Sequence, residues 1–143
     1  MKRYIEVPLQ LLDIKGDGFH IMVQGQIHGK EAHFIIDTGA SRSVFDPKTI
    51  STFIGDIRFQ KKEGLSAGLG ISDLEIITFT IDSFSIGNME IRDYEAAAMD
   101  LENVQEMYHK VGLPSIDGII GGDLLKRHKA VINYRCKKMR LTP

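Results

Sequence analysis

An apolar run, Phe34-Ile35-Ile36, stops abruptly at Asp37-Thr38-Gly39-Ala40, and no other stretch restricts the fold as tightly. A strand that ends on an acid, a small hydroxyl residue and a glycine presents a carboxylate at a sharp turn. Gly39 permits backbone angles and a close approach that a side chain would block. Thr38 supplies a hydroxyl that can hold the turn. The pattern occurs once in 143 residues.

The rest of the first half reads as short strands joined by glycine turns. Tyr4, Ile5, Val7, Leu9 and Leu11 are mostly period-two apolar positions. Lys15-Gly16-Asp17-Gly18 is a turn, His20 to Ile27 alternates again, and His28-Gly29-Lys30-Glu31 turns the chain into Ala32 to Ile36. Ser43-Val44-Phe45 restarts a strand. Pro47 to Phe53 is predicted as a short helix, with Asp46 as its cap and Pro47 at its first position. Gly64 to Gly70 holds too many glycines for a good helix or a stiff strand. It lies between strand-like segments Asp56 to Lys61 and Leu74 to Ile81, as a long hairpin tip. Phe84 to Ile91 is a hairpin turning at Gly87-Asn88, and Ala96 to Met99 is a further strand candidate.

Two helices are expected later. Leu101, Val104, Tyr108 and Val111 recur near a 3.6 period, with Asp100 to cap and Gly112 to end the helix. A second runs from about Asp123 to Lys129, and Ala130 to Leu141 reads as one long final strand. Asp117 and Asp123 read as turn and helix-cap residues, Cys136 as a strand packing residue, and Lys126-Arg127-His128-Lys129 as the solvated face of the last helix. Short strands with glycine turns argue for a closed or sandwich-like β structure in one domain, 1–143.

Composition narrows the partners. Charged residues are 26% of the chain and the formal net charge is −1, so no nucleic-acid partner is expected. No stretch of ~20 apolar residues could span a bilayer. Met1 to Gln10 already alternates and does not read as a signal peptide, and a lone cysteine cannot form an internal disulfide; a reducing, cytoplasmic setting is the expectation. His20, His28, His33, His109 and His128 have no spacing suited to a metal, and no cofactor is expected.

Hydrolysis by carboxylates uses two of them sharing one proton. One takes a proton from the attacking water while the other gives one to the scissile carbonyl. Two like charges about 3 Å apart cannot both ionise easily, so such a pair titrates as a unit. No other acid here repeats the context of Asp37. The economical solution is a twofold dimer whose axis passes between Asp37 and its mate.

Further on, Ile119-Ile120-Gly121-Gly122-Asp123-Leu124-Leu125 is an apolar pair, a glycine pair and a helix start. Together, Phe34 to Ala40, Gly64 to Gly70 and Ile119 to Leu125 resemble, in order, the marks of the retropepsin-like aspartic proteases, the retroviral-type, single-domain family. Ala130 to Tyr134 is similar to that family's closing strand. The resemblance covers roughly Gln10 to Leu141. It implies a mainly β, closed acid-protease barrel with one or two short helices in its C-terminal half. It also implies a homodimeric aspartic endopeptidase acting on extended peptides. Asp37 would be the catalytic acid and base, one from each copy. Thr38 would bond across the dimer axis, and Gly39 would bring its N–H near the carboxylate. Ala40 would border the substrate. Leu65, Ala67, Gly68, Leu69 and Gly70 would form a flap over it. Ile119, Ile120 and Gly121 would support the loop from below.

Several positions depart from the retroviral pattern. Gly122-Asp123 stands where those members carry an arginine, closer to cellular or bacterial members. Leu101 to Val111 is an added helix. Ala40 replaces the hydroxyl residue of pepsin-like lobes, which implies a working pH nearer neutral than pepsin's. A catalytically silent peptide-binding or scaffolding domain on the same fold is the alternative. A hydrolase using one carboxylate as a base is a third reading.

Overall fold

The computed structural model describes residues 3–64 and 74–143. Strands dominate it: β1 (Ile5–Pro8), β2 (Gln10–Asp13), β3 (Phe19–Ile27), β4 (Lys30–Ile36), β5 (Val44–Phe45), β6 (Gln60–Gly64), β7 (Leu74–Ile86), β8 (Met89–Ala98), β9 (Gly118–Ile120), β10 (Val131–Asn133) and β11 (Lys138–Leu141). The helices are α1 (Pro47–Ile54), α2 (Glu102–Lys110) and α3 (Gly122–Arg127).

The larger sheet runs β2-β3-β4-β9-β5-β8-β7-β6, and an added β3–β7 pairing joins strands that the order alone would leave apart. Gly25 makes that closure possible. It faces Ile86 of β7 in register, and a Cβ built on it would lie 1.9 Å from the Ser85 carbonyl oxygen. Only a residue without a side chain lets two backbones approach so closely.

The apolar runs of β3 and β4 reflect covering on both faces. Ile21, Val23, Phe34 and Ile36 enter the main core. Met22 and Ile35 point the other way, into a second cluster with Leu101, Tyr108 and Ile116. Strands buried on both sides lose strict alternation. At the centre of the main core Phe34, Phe45, Phe84 and Tyr94 pack edge to face, with Phe45 and Phe84 centroids 5.5 Å apart.

The smaller sheet, β1-β11-β10, pairs both ends of the chain with each other. Ile5 lies opposite Leu141 and Val7 opposite Met139.

Some expectations need correction. The single strand read from Ala130 to Leu141 is instead a hairpin. The Asn133 side chain accepts the Cys136 N–H at 2.9 Å, and Lys137 takes a φ of 51°, so the chain reverses without glycine or proline. Cys136 is therefore an exposed turn residue and does not pack in a strand. His128 does not join a solvated face. It is buried, and its Nδ1 lies 2.9 Å from the Thr142 carbonyl oxygen. Residues 56–59 precede β6, and Ala96 to Ala98 belong to the end of β8. The α1 reading holds: Asp46 accepts the Lys48 N–H at 2.9 Å and Pro47 opens the helix. Asp46 also accepts the Leu101 N–H at 3.0 Å, tying α1 to the entry of α2.

Candidate active site

Asp37 leaves the end of β4 where β9 runs parallel beside it, Ile36 opposite Ile120. The Asp37 N–H donates to the Ile120 carbonyl at 2.9 Å, and the Ala40 N–H closes the turn onto the Asp37 carbonyl at 3.2 Å. The Gly39 N–H donates to the Asp37 Oδ1 at 2.9 Å. Asp37, Thr38 and Gly39 are all exposed. The carboxylate thus sits on a fixed turn with its face open to solvent.

The residues read as support meet the loop through their backbones. Ile119 pairs with both Ile35 and Val44. The Gly122 N–H donates to the Ala40 carbonyl at 2.7 Å, and the Asp123 N–H to the Ser41 carbonyl at 3.1 Å. Gly121 lies so close that a Cβ on it would fall 2.6 Å from the Ala40 carbonyl oxygen. Leu65, Ala67, Gly68, Leu69 and Gly70, read as a flap, lie outside the described residues. The arms β6 and β7 that lead toward them pair as far as Gly64 and Leu74.

Asp123 differs from its expected role. α3 has no side-chain cap. The Asp123 Oδ1 accepts the Ser43 N–H at 2.8 Å and the Ser43 hydroxyl at 2.7 Å. Its Oδ2 accepts the Tyr94 hydroxyl at 2.6 Å. Ser43 Oγ in turn accepts the Gly121 N–H at 2.9 Å. Burial, followed by the Asp123 carboxylate, pushes the Tyr94 hydroxyl well above its ordinary range, so it stays a donor. One carboxylate therefore ties the exit of the Asp37 loop to β8 and α3. Sequence reading missed Ser43, Tyr94 and Asp123 as a unit because 80 and 29 residues separate the partners. The local signal, an acid at a helix start, reads from sequence as a cap, a bond that α3 does not make.

Asp117 belongs to the neighbouring crossing, not to the site. Its Oδ2 accepts the His33 N–H at 2.8 Å. Burial pushes its carboxyl above the ordinary value of 3.8, against the opposing pull of His33. The folded state therefore holds this proton more tightly than the unfolded chain. The resulting stability is present in full below 3.8 and is lost as pH rises through the raised value. Asp117→Asn keeps an acceptor for His33 and removes the charge. It is expected to melt higher than wild type at pH 7 and to show a smaller difference at pH 4, by thermal melts at both.

Among the described residues no group of three or more His, Cys, Asp or Glu side chains could hold a metal ion.

A family model described as aspartyl protease matches residues 23–124. Among curated proteins, none matches the chain in sequence. Among solved structures, a retropepsin-like aspartic protease from Rickettsia conorii is similar at TM-score 0.54 and 17% identity, over 96% of this chain and 89% of that one. The retroviral protease-like domain of Ddi1 from Leishmania major is similar at TM-score 0.51 and 18% identity, over 85% of this chain and 87% of that one. At these identities the likeness is one of fold: mainly β and retropepsin-like.

Proposed function

Because the chain belongs to the aspartyl protease family, we propose that it is an endopeptidase whose water is activated between Asp37 and the Asp37 of a second copy. The observation that carries this reading is the exposed Asp37 carboxylate, held by the Gly39 N–H on a turn clamped to β9 and α3. An acid so fixed on a protein surface has half of what the chemistry needs. A second copy related by a twofold axis supplies the other half. One carboxylate of the pair is then ionised and takes a proton from water, while its protonated partner donates to the carbonyl oxygen. Thr38, also exposed, would bond across the axis. No covalent intermediate is formed. With Ala40 supplying no hydroxyl to the pair, cleavage is expected to peak above about pH 3.

The terminal strands shape how such a dimer forms. β1 and β11 are already paired within one chain, so association falls to the loop face. A dilution series tests this. Specific activity on a peptide library should fall as the protein is diluted through its dimer dissociation range, in step with sedimentation mass. Constant specific activity of a strict monomer would end the paired-acid reading and favour a single carboxylate base. A stable monomer that binds peptides without cleaving them would favour a silent binding domain.

Gly121→Ala separates positioning from chemistry. The new methyl would push against backbone atoms of Ala40 and Arg42, at 2.6 and 2.9 Å. A shift of about 1 Å in a catalytic group can cost about 100-fold in rate. A drop in kcat of that order is expected, with circular dichroism of a folded protein.

A further inference from the structure

A cavity of about 620 Å3 opens beside Asp37 and Thr38. Apolar side chains line it from three sides: Ile35 and Ile119 of the larger sheet, Val104 and Met107 of α2, and Ile132 of β10. The helical wall is firmly mounted. The Gln105 side chain exchanges hydrogen bonds with the Ile116 backbone in both directions, and Tyr108 is 1% exposed beneath it.

Away from Asp37 and Thr38, a polar pair, His20 and Tyr108, also lines the cavity. His20 Nδ1 lies 2.5 Å from the Tyr108 hydroxyl, with the rings tilted at 37°. Burial pushes the Tyr108 hydroxyl up to about 12, so it keeps its proton at neutral pH. If that hydroxyl donates to Nδ1, a neutral ring carries its proton on Nε2, where it can be offered to a ligand.

Building on the protease reading above, we propose that this cavity receives the substrate side chain next to the scissile bond and selects a phenol, with His20 as the specificity-determining residue. An aromatic ring fills apolar walls with a large area and few rotors. A donor that the ligand covers without pairing discriminates against the analogue that lacks the matching group. His20 is half-buried, and phenylalanine filling the same walls would cover its Nε2–H without offering it an acceptor. Tyrosine would satisfy it.

The test uses matched peptides carrying Tyr, Phe or Leu on either side of the cleaved bond. Wild type should prefer Tyr over Phe by about 10- to 100-fold in kcat/KM on one side. His20→Leu should bring that ratio to within about threefold of one. Cleavage without a tyrosine preference, or a ratio unchanged in His20→Leu, overturns the pocket and leaves the protease reading standing. A readout without catalysis separates the two. The Met107 methyl resonance in carbon-13-methionine protein, assigned with Met107→Leu, should shift on titration with p-cresol and less with toluene. If that shift occurs in a protein that cleaves nothing, the pocket stands and the protease reading falls. Equal response to both compounds, or none, overturns the pocket.

Discussion

Replacing Asp37 with asparagine is expected to lower kcat/KM on peptides by about 10,000-fold while leaving the fold intact. The size follows from the double duty of the proposed pair. The ionised member is the base and the protonated member is the acid, and an amide can do neither. Positioned proton transfer contributes about 100- to 10,000-fold, and the substitution removes it from both copies at once. Stability should barely move, because Asp37 is exposed and an asparagine oxygen can still accept the Gly39 N–H, now made at 2.9 Å. A surface change of this kind falls within about 0.5 kcal/mol. Initial rates on a cleaved peptide, together with thermal melts, check both halves. Undiminished cleavage by the mutant would remove Asp37 from the chemistry.

Gly25→Ala should do the reverse, acting on the fold before any chemistry. The added methyl would sit 1.9 Å from the Ser85 carbonyl oxygen and 2.9 Å from the Phe34 ring. The nearer obstacle is backbone in a paired strand and cannot rotate away. Relief requires β7 to part from β3, which breaks the register from Gly25 and Ile86 to Ile27 and Phe84. Phe84 would leave its packing against Phe34 and Phe45. A cost above about 4 kcal/mol is expected, a large share of the 5–15 kcal/mol typical of a folded domain. Urea titration followed by circular dichroism measures it. Gly29→Ala is the control, at φ 78° with open space around it, and should cost only about 1 kcal/mol. A Gly25→Ala protein within 1 kcal/mol of wild type would contradict the account of strand closure.

What could be read from the chain alone was what is written locally. The turn at Asp37 needs only four consecutive residues to declare itself. α1 is announced by Asp46 and Pro47, and the β7–β8 turn by Gly87, which adopts a φ of 55°. The β10–β11 hairpin escaped because its reversal uses an asparagine side chain and a lysine at positive φ, and no glycine or proline marks the place. His128 was misjudged because three of its neighbours in the run are cationic. Its burial depends on Thr142 returning to it, a contact between helix and chain end that periodicity does not contain. The ties among Ser43, Tyr94 and Asp123 are of the same kind. Each residue looks ordinary in its own segment, and only the sheet brings them together.

The pairing of β1 with β11 leaves each protomer with its two ends already fastened. A polypeptide so tied does not need a twin to complete its terminal sheet. On the proposed assembly, abundance itself then becomes the throttle: dilute molecules would stay idle, and proteolysis would begin only past a threshold of local crowding.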